Sequence, residues 1–228
     1  MISSKDLGSS EGPSVSKTIS PGEHVCKINK ITLETPPFNS EALNLVLHIE
    51  TEPMGDDFEG FFIDKDNPEL GRYLGQVGRV KTSEYAYLDG TTKSGIKVSR
   101  DLDIVRVIKT LCSITKCHSW LETNDNKHET IQDYVGAFNE DKPFKDAYIK
   151  MCIGGKEYLN KEGYTNFDLY LARTQRGTYN MEASDVDENS SKLVKFDANI
   201  HIKRKKTDVD SFGGNVTTSS SVGSDFDL

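Results

Sequence analysis

The nine residues ALNLVLHIE (42–50) place Leu43, Leu45, Leu47 and Ile49 at strict period two. Successive side chains of a strand point to opposite faces, so this spacing puts four large apolar residues on one side and predicts a half-buried β-strand. A second run, VCKINKITL (25–33), begins with Cys26 and Ile28 in phase and then shifts to Ile31 and Leu33. A phase change inside one strand predicts a β-bulge, which bends and twists the strand. FEGFFI (58–63) reads as a third strand. Further on, Ala147, Ile149, Met151 and Ile153 alternate, and after the turn NKEG (160–163) so do Phe167, Leu169 and Leu171. A weaker strand is expected at 193–203.

Residues 64–100, rich in Gly and Tyr, read as long loops with a short hairpin near 84–98. Ser99 can cap a helix whose first turn carries Asp101 and Asp103, where negative charge suits the helix dipole. That helix presents Ile104, Ile108 and Leu111 on one stripe, with Val105 and Cys112 beside it. A second helix shows Ile131, Tyr134, Val135 and Phe138 at helical spacing and closes at Pro143. The expected fold is mainly β: a five-stranded, OB-like Greek-key barrel with a helical insertion (about 99–140) between strands 3 and 4. A generic β-sandwich with a helical insert is the alternative. The expected domain runs over 17–205, between a disordered N-terminus (1–16) and a flexible acidic tail (206–228).

With 35% hydrophobic and 28% charged residues, 228 residues suit one sizeable globular domain. No apolar run approaches the roughly 20 residues that span a bilayer, so no membrane association is expected. The N-terminus has no apolar h-region. Four sparse cysteines (Cys26, Cys112, Cys117, Cys152) then suggest reduced thiols in a cytoplasm.

Several chemistries fail on spacing. Cys112, Cys117, His118 and His128 do not form the tight paired ligands of structural zinc, and Cys112 fits an apolar stripe. DKDNPELG (64–71) lacks the Gly and the acidic residue that a calcium loop needs at its sixth and twelfth positions. GQVGRVKTS (75–83) has Val80 where a phosphate-binding loop needs Gly before its Lys. No G-x-S-x-G elbow or recognisable Cys–His pair is present. The expectation is a binding protein without catalytic residues, metal or cofactor. A metal-dependent nuclease, requiring Mg²⁺ or Mn²⁺, stays as the enzymatic alternative.

What stands out is charge. Residues 71–100 carry six basic residues (Arg72, Arg79, Lys81, Lys93, Lys97, Arg100) against two acidic ones, in a chain whose net charge is -8. Tyr73, Tyr85 and Tyr87 lie among them. The last hairpin repeats the mixture with Tyr148, Lys150, Lys156, Tyr158, Lys161, Tyr164 and Tyr170. Single-stranded nucleic acid is bound in this way: cations follow the phosphates while aromatic faces stack on bases. On an OB-fold the binding surface is the face of strands 2 and 3 with the first and last interstrand loops. Phe38, His48 and the 156–164 turn would sit there. The candidate DNA-binding residues are Arg72, Tyr73, Arg79, Lys81, Tyr85, Tyr87, Lys97, Arg100, Tyr148, Lys150, Tyr158, Lys161 and Tyr164.

SKTISPGEHVCKINKITLE, FEGFFIDKDNPELGRYLGQVGRVKTSEYAY, TKSGIKVSRD and GGKEYLNKEGYTNFDLYLAR resemble the single-stranded DNA-binding proteins of tailed bacteriophages, most closely those of crAss-like phages. The resemblance runs from about 17 to 173. It implies an OB-fold protein that coats single-stranded DNA during replication or recombination, in the cytoplasm of an infected bacterium. Such proteins commonly end in a flexible linker and an acidic tip that docks on partner enzymes. SDFDL resembles that tip: Asp225, Asp227 and the terminal carboxylate can meet a basic groove while Phe226 and Leu228 fill a pocket. The expected partners are therefore single-stranded DNA and, through the tail, replication or recombination proteins, with homo-oligomers also possible. The rival from another class is a phage structural or host-interaction protein that binds protein through the same β core.

Overall fold

β1 (Gly22–Glu34) changes partner along its length. Gly22–Lys27 pairs antiparallel with β6 (Tyr148–Leu159), and Cys26–Glu34 pairs antiparallel with β2 (Asn44–Thr51). The register of the second ladder shifts between Ile28 and Lys30, which is the bulge that the phase change predicts. The extra residue turns both Ile28 and Ile31 into the core despite their odd spacing. A strand bent in this way can belong to two walls at once. The computed structural model describes residues 16–56, 58–63, 65, 68, 71–173 and 180–204. Residues 1–15, the tail with Asp225, Phe226, Asp227 and Leu228, and Lys205 and Lys206 lie outside the described residues.

Two more strands close the ring. β3 (Val77–Lys81) pairs antiparallel with β2 and parallel with β7 (Thr165–Leu171), and β7 pairs antiparallel with β6. The closed barrel therefore runs β1-β2-β3-β7-β6 and back to β1. β4 (Gly90–Thr91) and β5 (Lys97–Val98) form a separate small hairpin within the span expected to hold one. β8 (Met181–Ala183) and β9 (Ile202–Lys203) add to β6 outside the ring. In place of a strand over 193–203, only Ile202–Lys203 (β9) pairs as a strand, preceded by the four-residue α4 (Ala198–His201).

The third barrel strand is β3, not FEGFFI. Of β3's residues, Val80 is fully buried, while Gly78 offers no side chain to an apolar count. A Cβ at Gly78 would lie 3.3 Å from Ile19 and 3.5 Å from Leu169, so the glycine makes room for two neighbours from other segments. The apolar weight of FEGFFI goes instead into ring contacts, Phe58 on Phe61 and Phe62 on Tyr73, in an irregular excursion between β2 and β3. β2 is covered on both sides rather than half-buried, since Val46 and Glu50 are buried along with Leu45, Leu47 and Ile49.

α1 (Arg100–Ile114), α2 (His118–Asn124) and α3 (Ile131–Asp141) occupy the segment between β3 and β6. The Ser99 hydroxyl caps α1 and the Thr130 hydroxyl caps α3. α1 buries Ile104, Val107, Ile108, Leu111 and Cys112; α3 buries Ile131, Tyr134, Val135 and Phe138. These stripes join Leu45, Leu47, Ile149, Met151 and Leu171 in one core. Trp120 of α2 meets Tyr134 and Phe138 edge-on and donates from Nε1 to Asp141 at 2.8 Å. All four cysteines are free, and burial pushes the Cys26 thiol up to about 12.

Candidate nucleic-acid interface

The β2–β3 register sets His48 opposite Arg79 and Val46 opposite Lys81. Opposed residues share a face, so His48, Arg79 and Lys81 project together from the outside of the barrel. The β6–β7 hairpin continues the surface, with Lys156 opposite Asp168 and Tyr158 opposite Asn166. Between these strands lies a groove of about 870 Å³, lined also by Phe62 and Tyr73 from the excursion and by Thr18 and Ile19. Thr18 bridges to Val77 in parallel, which fixes that end of the groove.

Glu50 holds the excursion in place. This buried carboxylate accepts from the Leu74 N–H at 2.8 Å and the Gly75 N–H at 3.2 Å through Oε1. Its Oε2 accepts from Asn29 and pairs with Lys27, each at 3.1 Å. Gly75 is required here, because a Cβ would stand 2.1 Å from the Thr51 carbonyl oxygen.

The groove is not simply basic. Arg79 is bonded to Glu34, Lys81 donates to Asp168 at 2.6 Å, and Lys156 lies 3.6 Å from the Glu84 carboxylate. Lys156 also donates to the Glu84 carbonyl at 3.1 Å and sits 4.8 Å from the centre of the Tyr85 ring. The charge of Glu84 holds the Tyr85 phenol above its ordinary pKa. Each Lys or Arg of the lining thus has a carboxylate partner.

The expected site residues separate into groups. Arg79, Lys81 and Tyr158 line the groove, and Tyr85 stands beside Lys156. Tyr158 is 44% exposed, Tyr164 69% and Tyr85 70%, so all three offer ring faces to solvent. Lys161 and Tyr164 belong to the turn of the same hairpin, and Phe38, 95% exposed, marks the loop between β1 and β2. Tyr87, at 5%, is a core residue rather than a stacking face, whereas Tyr73, at 8%, lines the groove with most of its ring covered. Tyr73 packs against Phe62, and the Tyr87 hydroxyl shares a hydrogen bond with Thr82 at 2.9 Å. Arg100 is occupied by Asp101 at 2.8 Å and by the Glu41 carbonyl at 2.7 Å. Lys150 donates to the Val186 carbonyl at 2.8 Å, away from the groove, near the end of β6 where Tyr148 pairs with Lys27. Arg72 and Lys97 are exposed and lie outside the groove lining.

The residues that sequence reasoning missed are Glu34, Asp168, Glu50 and Phe62. Carboxylates carry no signal for a groove until strand register sets them against cations. Among the described residues, no three His, Cys, Asp or Glu side chains converge as a metal site, and no helix is long and apolar enough to cross a membrane. No protein-family model, curated protein or solved structure matches the chain.

Proposed function

We propose that this protein binds single-stranded DNA, with the barrel serving as an OB-fold and the groove as its DNA track. The observation that carries the reading is the position of the groove. It lies on the face of β2 and β3 and is continued by the last hairpin, whose exposed Tyr158 lines it together with Arg79, Lys81 and Lys156 and whose turn carries the exposed Tyr164. Oligonucleotides are taken by OB-folds on that surface. Cations there can follow a phosphate backbone while the tyrosines stack on bases. The sequence resemblance to tailed-phage single-stranded DNA-binding proteins supports the same reading and adds a role in phage replication or recombination. On that reading the tail after Phe212 recruits partner proteins.

The test is fluorescence anisotropy of labelled oligo-dT with the full chain at low and moderate salt, beside a version truncated after Phe212. Binding that weakens as salt rises supports the DNA track, because counter-ion release accompanies phosphate contacts. Tighter binding by the truncated chain supports an acidic tail that competes for the track. No binding to single strands at low salt rejects the reading and turns the search to a protein partner.

A further inference from the structure

Each Lys or Arg in the groove is neutralised by the protein itself: Arg79 by Glu34, Lys81 by Asp168 and Lys156 by Glu84. The lining itself holds three carboxylates (Glu34, Glu157 and Asp168) against three Lys and Arg side chains (Arg79, Lys81 and Lys156). A groove built only for anion affinity would leave its cations unpaired. These pairs are also unlike structural ion pairs, which are buried and fully bonded. Each pair is open to solvent chiefly through one member: the Arg79 side chain is 63% exposed against 33% for Glu34, and that of Asp168 45% against 28% for Lys81. Pairs that solvent reaches from one side are partly screened, so a competing anion can exchange with the carboxylate.

Resting on the DNA-binding reading, we propose that Glu34 and Asp168 are built-in phosphate mimics, and that DNA enters the groove by exchanging its phosphates for these carboxylates on Arg79 and Lys81. No covalent step is involved. Each phosphate gained by a cation frees one carboxylate, which must then take a cation from solution. That uptake offsets part of the counter-ion release from the DNA. The exchange therefore lowers affinity and makes its salt dependence shallower than the number of groove cations implies. It also favours a continuous strand over isolated anions, because a free phosphate can displace only one carboxylate at a time. The function gained is reversibility: the protein's own anions close the groove behind a departing strand.

The experiment is anisotropy of labelled oligo-dT between about 50 and 200 mM salt, using the full chain and its Glu34→Gln, Asp168→Asn and double variants. Asp185→Asn is the control. It removes an equal charge from an exposed pair with Lys116 (3.0 Å) outside the groove. Each groove substitution is expected to tighten binding about two- to five-fold beyond the control. The slope of log affinity against log salt should steepen by about 0.7 for each carboxylate removed. If the wild type binds and the variants bind no tighter than the control, or more weakly, the exchange is wrong and the carboxylates merely hold Arg79 and Lys81 in place. If neither wild type nor variants bind at low salt, the DNA reading itself falls and the exchange falls with it.

Discussion

The Asn139 side chain on α3 accepts a hydrogen bond from the backbone N–H of Ile31 on β1 at 2.9 Å, across 108 residues of chain. Ile31 lies just past the bulge, where the ladder to β2 resumes. A bulge leaves backbone groups without ladder partners, and here a helix side chain supplies the acceptor. The contact ties the helical segment to the bend that lets β1 serve two walls of the barrel.

Asn139→Ala removes that acceptor and leaves a largely buried N–H unpaired, at a cost of about 1–3 kcal/mol. Asn139→Asp keeps an oxygen in place and should recover much of the loss. Urea denaturation midpoints of the two variants check this. Equal destabilisation by both would show that the amide acts through packing instead.

Glu50 carries a larger load, because its two oxygens serve Leu74, Gly75, Asn29 and Lys27. Glu50→Ala strands two N–H groups and a partly covered ammonium. The expected loss is about 1.5–3 kcal/mol for hydrogen bonds to a charged group. Because these bonds pin the wall carrying Phe62 and Tyr73, limited proteolysis should cut the variant first within the 52–75 excursion. Cleavage starting elsewhere would deny Glu50 that role.

The strands with alternating apolar residues were readable because their periodicity coincides with their burial: Leu45, Leu47 and Ile49 in β2, and Ile149, Met151 and Ile153 in β6. Helices were readable from their caps and stripes. β3 was not, because Gly78 faces inward and the space it leaves is filled by Ile19 and Leu169 from distant segments. α2 was not, because its anchor is one residue, Trp120, with no stripe around it. The site divides on the same physics. Cations and tyrosines near the groove were visible as local composition, whereas the Arg79–Glu34 and Lys81–Asp168 pairs depend on strand contacts that no local window contains.

His201 makes stability depend on pH. Its Nδ1 accepts the Asp197 N–H at 2.9 Å, which requires that nitrogen to be unprotonated, and its carbonyl accepts the Tyr170 hydroxyl at 3.0 Å. Burial lowers the imidazole below the usual histidine range, opposed by Asp197 and Glu23 and helped by Lys203. The unfolded chain takes up a proton near pH 6.5, and the folded chain does so only at lower pH. The contribution is therefore fully present above about pH 6.5 and is lost as pH falls through that value toward the folded one. His201→Asn, whose Oδ1 can replace Nδ1 as acceptor, should lose less stability than the wild type when urea midpoints are compared at neutral and mildly acid pH. Parallel losses in both proteins would assign the pH dependence to other groups.

Tyr158 is an exposed ring lining the groove, Tyr85 stands beside its Lys156, Tyr164 is exposed on the turn of the same hairpin, and Tyr87 is the matched buried ring. Base stacking on an aromatic face contributes about 1–3 kcal/mol per base, so each of Tyr158→Ala and Tyr164→Ala should weaken oligo-dT binding about five-fold or more while leaving the fold intact. Tyr85→Ala should act less directly, since the Tyr85 ring also covers the Lys156 ammonium. Tyr87→Phe should leave DNA affinity unchanged, because the ring stays in the core and the hydroxyl it loses is one bonded to the buried Thr82. Anisotropy titrations paired with denaturation midpoints separate the two kinds of effect. Loss of binding on Tyr87→Phe with none on Tyr158→Ala would place the DNA track elsewhere on the barrel.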